Sequence, residues 1–355
     1  CISIKYMSKL QHPHIKCKKV AVALLGYNSL NYIKKFIPSI LKTTYTDYTL
    51  VYIDNASTDN SVAYVKEHFP SAEIFQISKN QGFTGGYTQS LPYIDAKYYV
   101  LLNSDVEVTP NWLDPIIEDM EKDETIGAAQ PKLLHEPQKE LFDYAGASGG
   151  FMDKYGFMFC RGRIFDTIEK DLNQYNDPME IFWASGACMI VRSKLYRQLG
   201  GLDNHFYAHM EEIDLCWRIK NAGYKILVYP ASTVYHVGGS IITYGSYTKL
   251  YHNFRNNLVM MLKNLPKEKL LGTLFIRMVF DGVAAARALI TFRFIEFRAI
   301  FMAHFHFYTQ MKRWKSRRNE ALKHYVRESR TGIYCRSIVW DYFARNLKKF
   351  DQLKF

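Results

Sequence analysis

The octet YYVLLNSD, residues 98–105, decides the fold class of this chain. Its run of apolar and aromatic residues is typical of a strand that is covered on both faces of a sheet. The run leads into a carboxylate at Asp105, and open α/β sheets bind ligands beyond the carboxyl ends of their strands. A carboxylate at that edge can hold a divalent cation against a phosphorylated ligand. An ordinary strand end followed by turn residues is the simpler explanation of the octet taken alone.

Alternating strands and helices surround this octet. The apolar patterns predict strands at 20–25, 50–54, 73–77 and 98–102, and helices at 30–41, 59–69 and 84–94. Alternation at this spacing predicts an α/β fold with a parallel, doubly wound sheet. After residue 126 the pattern becomes irregular. There we predict a hairpin or flap at 146–159, one long strand at 181–191, a helix at 214–222 and short strands at 225–228 and 233–236.

The net charge of +12 is unevenly distributed along the 355 residues. Residues 249–355 hold 22 Lys and Arg against 7 Asp and Glu, whereas residues 1–248 hold 24 against 27. This asymmetry predicts a boundary between a body at 18–248 and a basic, aromatic, helical extension at 249–355, with an anionic partner for the extension. The longest apolar stretch, 270–290, is interrupted by Arg277, Asp281 and Arg287, so a membrane-spanning helix is not expected.

The compartment is predicted from the cysteines and the first residues. Six scattered cysteines without a CxxC pair are typical of reduced thiols in the cytosol. The first 19 residues are polar and basic and contain no apolar region of the kind that a secretory signal needs. We therefore expect a cytoplasmic location.

Two polar turns follow predicted strands. In residues 54–59 (DNASTD), Asp54 could accept the N3–H of a uracil or thymine, or the segment could be a plain helix-capping turn. Residues 80–87 (NQGFTGGY) could bring backbone N–H groups close to a phosphate or a base. They match neither GxGxxG nor a phosphate-binding loop with GKS/T, so a structural turn is the simpler reading.

Two further segments carry titratable groups. Residues 209–218 (HMEEIDLCWR) place Glu211 and Glu212 before a predicted helix, where either could act as a general base. Acidic residues in a first turn also stabilise a helix through its dipole, which is the structural alternative. Residues 234–240 (VYHVGGS) end a short strand in His236, which could bind an ion such as Mn²⁺ or serve as a hydrogen-bonded structural residue.

Taken together and in this order, the segments resemble the family-2 glycosyltransferases with the GT-A fold. The resemblance covers roughly residues 18–245 and is strongest to the bacterial, rhamnosyltransferase-like branch that builds surface polysaccharides. It rests on Asp54, NxGF at 80–83, NSD at 103–105, WASGAC at 183–188, EExDLxxR at 211–218 and YHxGG at 235–239. It implies a Rossmann-like, nucleotide-binding sheet and says little about which sugar is moved.

The resemblance implies roles for individual residues. The nucleotide would be bound by Tyr27, Asn28, Asp54, Asn80, Gly82, Phe83, Asn103 and Ser104. A divalent metal, Mn²⁺ or Mg²⁺, would be held by Asp105 and His236, because the family's DxD-type motif is reduced here to Asn103-Ser104-Asp105. The acidic pair that supplies the base falls on Glu211 and Glu212, and we expect Glu212 to be the base. The donor-sugar and acceptor pocket would be lined by Trp183, Gly186, Ala187 and Asp214.

The implied reaction is a single in-line displacement that inverts the anomeric centre. A hexosyl or deoxyhexosyl group would move from a UDP- or dTDP-linked donor to a lipid-linked glycan acceptor. Two other functions stay open: a sugar-nucleotide nucleotidyltransferase and a catalytically weak sugar-nucleotide-binding protein. The former usually has a basic, Gly-rich loop after the first strand, whereas residues 26–29 (GYNS) contain no basic residue.

The extension has three possible roles. Its apolar helices with interspersed Arg and the run KRWKSRR at 312–318 favour contact with an anionic membrane surface through residues 270–318. This would place the enzyme peripherally on the inner face of the cell membrane. A plain helical cap on the body is the second reading. Nucleic-acid binding is the third and is not expected, because these helices carry more apolar surface than a phosphate-tracking face needs.

Overall fold

The computed structural model describes residues 14–238 and 246–355. Its strands are β1 (Ile15–Lys16), β2 (Val20–Gly26), β3 (Tyr48–Asp54), β4 (Glu73–Gln76), β5 (Ile94–Asp95), β6 (Tyr98–Asn103), β7 (Val106–Val108), β8 (Ile126–His135), β9 (Gly150–Asp153), β10 (Met158–Cys160), β11 (Arg163–Ile164), β12 (Thr167–Ile168), β13 (Met179–Glu180), β14 (Cys188–Arg192), β15 (Lys225–His236) and β16 (Ile333–Tyr334). Its helices are α1 (Leu30–Ile40), α2 (Ser61–His68), α3 (Gly82–Ser90), α4 (Asp114–Lys122), α5 (Ser193–Gln198), α6 (Glu211–Asn221), α7 (Tyr247–Asn264), α8 (Lys267–Ile290), α9 (Phe294–Thr309), α10 (Met311–Leu322) and α11 (Ile338–Phe343).

The central sheet has nine strands in the order β13-β15-β8-β14-β6-β2-β3-β4, with β7 paired to β15. The four predicted strands β2, β3, β4 and β6 are confirmed and run parallel. The expectation of an all-parallel sheet is wrong, because β14 runs antiparallel between β6 and β8. The sheet is therefore mixed, with a parallel half formed by the N-terminal part of the chain.

Strand β6 lies inside this sheet as the octet predicts. Residues Tyr98–Leu102 have no exposed surface, and their neighbours are β2 on one side and β14 on the other. Parallel pairing sets Gly26 beside Asp54, Leu25 beside Asn103, and Asp54 beside Gln76. The carboxyl ends of four strands consequently meet at one edge, and the polar turns that follow them are brought together there.

Three predicted elements differ in the structure. The apolar segment 181–191 is not one strand: only β14 is extended, and the residues before it form a buried turn that includes Ser185. Helix α6 begins at Glu211 rather than at Asp214. The two short strands near the end of the body are one strand, β15, whose pairing with β8 shifts register between Tyr229 and Thr233. Strand β8 itself has no counterpart among the sequence predictions.

The predicted hairpin at 146–159 is confirmed by the antiparallel pairing of β9 and β10. It belongs to a second sheet of five strands, in the order β12-β11-β10-β9-β16. Strand β16 comes from the extension and runs parallel to β9. The edge strand of this small sheet is therefore supplied by residues that the charge pattern assigns to a different part of the chain.

The extension is helical, as predicted, and shares a hydrophobic core with the body. Leu258 and Met261 of α7, Phe307 of α9 and Trp314 of α10 are buried in the core that also contains Phe151 of β9. The boundary between 18–248 and 249–355 stays a prediction. Within the described residues, no helix combines the length and the apolar character that crossing a membrane requires.

Candidate active site

The nucleotide side of the candidate site is built from the turns after β2, β3 and β4. Asp54, the last residue of β3, is buried, and its Oδ1 accepts the N–H of Ser57 at 3.2 Å. The side chain of Asn55 donates to Asn80 Oδ1 at 3.1 Å and to the carbonyl of Gly82 at 3.0 Å, and it accepts the N–H of Gln81 at 3.0 Å. Asn55 thus connects the turn after β3 to the glycine-rich turn.

The turn after β2 is fixed to the same edge by Asn28. Its backbone N–H donates to Ser57 Oγ at 3.0 Å, and its Oδ1 accepts the N–H of Thr58 at 2.8 Å. Asn28 has a φ of 49°, a left-handed conformation that asparagine tolerates. Tyr27 beside it is 40% exposed, so its ring is available to a ligand.

Gly82 opens α3 against an aromatic ring. Its φ is 70°, and a Cβ atom at this position would lie 2.7 Å from the ring of Tyr207. Thr84 donates its backbone N–H and its hydroxyl to the carbonyl of Tyr207, at 3.2 and 3.1 Å. Phe83 packs edge-on against Tyr87, with 5.1 Å between ring centroids. The glycine-rich turn therefore connects the nucleotide side to the loop before α6.

Replacing Gly82 with alanine should destabilise the fold more than replacing Gly200 does. Both glycines have positive φ, 70° and 80°, but only Gly82 faces a side chain, since nothing lies within 4 Å of a Cβ on Gly200. We expect Gly200→Ala to cost about 1 kcal/mol of backbone strain and Gly82→Ala to cost about 1–3 kcal/mol more from overpacking. Urea unfolding of both variants measures the difference. Equal losses would mean that the ring of Tyr207 moves away at no cost.

The metal side lies where β6 ends and β15 ends. His236 Nε2 is 3.4 Å from Asp105 Oδ1 and 3.5 Å from Asn103 Nδ2, and its Nδ1 is 3.3 Å from Asp143 Oδ2. Burial lowers the pKa of His236, but the charges of Asp143 and Asp105 outweigh burial and raise it to about 10. Ser104 and Asp105 are buried as well. The last glycine of the YHxGG motif, Gly239, lies outside the described residues.

The residues on this side fit a divalent cation held jointly with a ligand, and such an ion would displace a proton from His236, whose raised pKa favours the charged form without metal. Among the described side chains, no three His, Cys, Asp or Glu residues form a ready-made metal cluster. Small divalent cations are commonly held by one or two protein ligands together with substrate phosphates and water. A histidine that binds a metal usually has a carboxylate or carbonyl next to its other ring nitrogen. Asp143 is in this position beside Nδ1 of His236.

The acidic pair starts α6 and is unusually protected. Glu211 is buried, Glu212 is half-buried, and one carboxyl oxygen of each (Oε2) is shielded from solvent with no hydrogen-bond partner in the described structure. Burial, followed by the neighbouring charge of Glu212, raises the pKa of Glu211 well above its ordinary value. Burial raises the pKa of Glu212 to about 7. Hydrogen bonds from backbone N–H groups, including that of Gly186, lower this pKa and offset part of the effect of burial. A group that titrates near neutrality is suited to general base chemistry.

The loop before the acidic pair is strained and clamped by α7. Tyr207, His209 and Met210 have φ values of 66°, 67° and 72°, which L-residues rarely adopt. The side-chain amide of Asn256 donates to three carbonyls of this loop, those of Phe206, Ala208 and His209, at 3.1, 2.9 and 2.7 Å. Sequence reasoning missed Asn256, since it lies in the basic extension and only the tertiary contact reveals its role.

Two residues that were expected to line the sugar pocket have other contacts. Asp214 has no exposed surface; its Oδ2 accepts from Arg218 Nε at 3.0 Å and from Lys263 Nζ at 2.8 Å. Lys263 also donates to Asp203 Oδ2 at 2.7 Å. Trp183 is buried against Gly150 and donates its indole N–H to the carbonyl of Phe151 at 2.9 Å. These contacts hold α6 and the hairpin in place, and the assignment of both residues to the sugar pocket stays a prediction.

Gly186 and Ala187 connect the acidic pair to the metal side. A Cβ atom on Gly186 would lie 3.6 Å from Cβ and Cγ of Glu212 and 3.3 Å from the ring of Phe83. The carbonyl of Ala187 accepts the N–H of Asn103 at 3.0 Å. Glu212, Phe83 and Asn103 therefore surround one short segment, so the residues that were predicted to bind the nucleotide, the metal and the acceptor proton lie close together. From the sequence, no role was predicted for Asn55 or Asp143. Asn55 could have been found, because it directly follows Asp54 in the DNASTD motif at 54–59, whereas no sequence pattern points to Asp143.

Comparison with known proteins shows which proteins the chain is similar to. Over 232 residues the chain is 22% identical to N-acetylglucosaminyl-diphospho-decaprenol L-rhamnosyltransferase of Mycobacterium tuberculosis, covering 61% of this chain and 75% of that protein. It is 22% identical over 223 residues to rhamnosyltransferase WbbL of Escherichia coli, covering 61% and 83%.

The fold resembles the crystal structure of GalNAc-T7 with UDP, GalNAc and Mn²⁺, with a TM-score of 0.56 and 17% identity. The matched part is 70% of this chain and 48% of the GalNAc-T7 chain. This likeness shows the GT-A fold, followed here by a helical C-terminal region. The model of the family described as glycosyl transferase family 2 matches residues 22–200, from β2 to the end of α5. The chain belongs to glycosyl transferase family 2 and is a glycosyltransferase.

Proposed function

We propose that this enzyme transfers a hexosyl or deoxyhexosyl group from a UDP- or dTDP-linked sugar to a lipid-linked glycan, with inversion, in surface-polysaccharide synthesis. One observation carries the proposal. Glu212, with a pKa raised to about 7, lies against Gly186, and the same segment contacts Asn103 at the metal side. The lipid-linked acceptor is supported by the mycobacterial relative, whose name specifies a diphospho-decaprenol acceptor.

Donor binding is proposed at the carboxyl edge of the parallel strands. One oxygen of Asp54 accepts the N–H of Ser57, and we assign the other to the N3–H of a uracil or thymine. Tyr27 and Asn28 would flank the base, while Asn80, Gly82 and Phe83 would contact the ribose side. Asn103 and Ser104 would lie beside the diphosphate. The interlocked hydrogen bonds of Asn28 and Asn55 support this because they order the turns before a nucleotide arrives.

A divalent metal, Mn²⁺ or Mg²⁺, is proposed to be held by Asp105 and His236 together with diphosphate oxygens. When bound, it would neutralise the charge that develops on the departing nucleoside diphosphate. Mn²⁺ in the GalNAc-T7 structure supports a divalent metal in this fold. Asp143 would orient the ring of His236 through its second nitrogen, which is 3.3 Å away.

The chemical step follows from the position of Glu212. Its carboxylate takes the proton of the acceptor hydroxyl as that oxygen forms a bond to the anomeric carbon. The bond from that carbon to the diphosphate oxygen breaks on the opposite side, and its electrons leave with the nucleoside diphosphate. One displacement of this kind inverts the configuration. Burial and the neighbouring charge of Glu212 also raise the pKa of Glu211, so the neutral form of Glu211 is favoured when Glu212 carries the negative charge.

We place the enzyme peripherally on the cytoplasmic face of the membrane, with residues 270–318 toward an anionic surface. The basic excess of the extension supports this, because anionic lipids attract such segments. On α10, Lys312, Arg313 and Lys315 are exposed. A lipid-linked acceptor would present its hydroxyl close to this surface.

A panel of UDP- and dTDP-sugars tests the proposal. Release of the nucleoside diphosphate is measured with Mn²⁺ or with EDTA, with and without a membrane lipid extract as acceptor. Turnover of one donor that depends on metal and is increased by the extract supports sugar transfer. Release of pyrophosphate from a nucleoside triphosphate and a sugar phosphate would indicate a nucleotidyltransferase instead. Donor binding without any turnover would indicate the catalytically weak binding protein.

Transfer should depend on pH through Glu212. The base must be deprotonated, and burial raises its pKa to about 7 from an ordinary value of 4.5. The rate should therefore be maximal above pH 7 and fall about tenfold per unit well below it. Measuring kcat between roughly pH 5 and pH 9 checks this. A rate that stays constant down to about pH 5 would contradict a raised pKa at the base.

A further inference from the structure

Outside the candidate active site, helix α8 combines an exposed apolar face with a buried ion pair. Its outward face consists of Leu271, Phe275, Val279, Val283 and Ile290, which are 81, 68, 51, 64 and 77% exposed. Their spacing of four residues, then seven, places them on one side of the helix. This face is apolar and faces solvent along most of a helix that is about 36 Å long.

Two charged residues in the middle of α8 are on its inward face, whereas Lys267, Glu268 and Lys269 at its start and Arg287 near its end are exposed. Arg277 and Asp281 are buried and joined, with Nε 2.9 Å from Oδ1. Arg277 also donates to Asn257 Oδ1 of α7 at 2.6 Å, and Asp281 Oδ2 is 3.1 Å from His304 Nε2 of α9. These polar contacts fasten α8 to its neighbours. The apolar face of α8 is therefore exposed although the helix is firmly packed against α7 and α9.

Helix α9 extends the same surface. Thirteen of the 22 large apolar side chains that are exposed in the described part of the chain lie between residues 271 and 308, so the exposure is concentrated on these two helices. On the connecting turn and α9 they include Phe292, Phe294, Ile295, Phe301 and Phe305, which are 50–78% exposed. Soluble proteins rarely expose a continuous apolar area of this extent unless it binds a partner or a membrane.

We propose that α8 and α9 lie in the plane of a lipid bilayer, with this apolar face immersed at the boundary between head groups and acyl chains. The proposal rests on the membrane association in the proposed function and specifies how it is made. Between residues 271 and 286 the exposed residues of α8 are all Leu, Val, Ile, Phe or small residues. Such a face suits acyl chains better than a protein surface with its polar groups. Exposed Arg287, Arg293 and Arg298 border the face, where anionic head groups would meet them.

The basic run on α10 has a smaller share in this contact. Arg318 donates to the carbonyls of Leu262 and Leu265 at 2.6 and 2.7 Å, and Trp314 is buried. These residues close the end of α7 instead of facing outward. Apolar immersion is insensitive to salt, whereas attraction between exposed charges is screened. Binding at high salt is therefore the property that distinguishes the proposal from a purely electrostatic contact.

Flotation of the full chain with vesicles of 70% phosphatidylcholine and 30% phosphatidylglycerol, roughly at 0.1 M and 0.5 M NaCl, tests the proposal. The test variant is Leu271→Ser, Phe275→Ser, Val283→Ser. The matched control is Leu172→Ser, Phe343→Ser, Val326→Ser, which changes the same residue types at 77, 62 and 70% exposure elsewhere on the surface. We expect the test variant to lose vesicle partitioning at least about tenfold at both salt concentrations. The control should bind like the wild type.

Other outcomes are decisive as well. Equal partitioning of the test variant and the control overturns the proposal, as does loss of wild-type binding at the higher salt. A wild-type dimer in solution that the test variant converts to a monomer, without vesicle binding by either, assigns the face to a second copy of the chain. An assay of sugar transfer in detergent distinguishes failure of the membrane-docking proposal from failure of the proposed function. Transfer without vesicle binding refutes the docking alone, and vesicle binding without transfer by any donor refutes the proposed function alone.

Discussion

Replacing Glu212 with glutamine should lower the rate of sugar transfer by about 10²- to 10⁴-fold, the usual contribution of a positioned general base. The amide keeps the size of the side chain and the contact with Gly186 but cannot accept the proton of the acceptor hydroxyl. Donor binding should be unchanged, because the nucleotide contacts lie on other turns. Single-turnover transfer and calorimetric titration with the nucleoside diphosphate measure the two effects separately.

Glu211→Gln is the matched control for this experiment. Burial and the neighbouring charge of Glu212 raise the pKa of Glu211, which favours its neutral form, and glutamine has nearly the same size and shape as a neutral glutamic acid side chain. We expect less than about a tenfold change in rate. A large loss in Glu211→Gln with a small loss in Glu212→Gln would transfer the role of base to Glu211. Equal activity of both variants and the wild type would remove the acidic pair from the mechanism.

Asp105→Asn should weaken Mn²⁺ binding in the presence of the nucleotide by more than about 100-fold, and transfer should fall with it. The substitution removes the only carboxylate that the shortened NSD motif offers to a metal, and loss of an outer partner alone typically costs 10- to 100-fold. Titrating Mn²⁺ calorimetrically at saturating UDP measures affinity, and the Mn²⁺ dependence of donor hydrolysis measures its effect on the reaction.

Asp143→Asn provides the comparison within the same cluster. This carboxylate is 3.3 Å from His236 Nδ1 and faces the ring from the side opposite Asp105, so we expect only the 10- to 100-fold loss of an orienting group. Unchanged Mn²⁺ affinity in Asp105→Asn would show that the metal is held elsewhere. A larger loss in Asp143→Asn than in Asp105→Asn would make Asp143 the ligand.

The parallel half of the sheet could be predicted from the sequence because it is encoded locally. The buried runs at 20–26 and 98–103 are continuously apolar, and the polar residues at their ends follow from where the runs stop. Asp54, Asp105 and Glu212 could be named for this reason. Asp54 ends β3, Asp105 lies two residues after β6, and Glu212 lies in the first turn of α6, so each is close to the end of an element whose pattern the sequence shows.

The sequence predictions that failed, and the residues that were missed, depend on tertiary contacts. The segment 181–191 is apolar throughout, yet Ser185 bonds to the carbonyl of Ala145 and its N–H donates to Gln130 Oε1, so the chain turns before β14 begins. Asp214 has the sequence context of a pocket residue, but its partner Lys263 is supplied by a helix 49 positions later. Asp143 and Asn256 have no local signature, because their roles exist only once distant segments meet.

The contacts that Asn256 and Lys263 of α7 make with α6 and the loop before it have a consequence for how the protein is made. A chain emerges from the ribosome with its N-terminal part first, so the loop before Glu211 appears well before Asn256 and Lys263. Until α7 emerges, Asp203 and Asp214 lack the ammonium group of Lys263 that both contact, and they keep only their local partners His205 and Arg218. Helix α6 therefore gains its last contacts late in synthesis. Helix α8 follows α7 after only two residues, so the finished active site and the lipid-facing surface arise almost together.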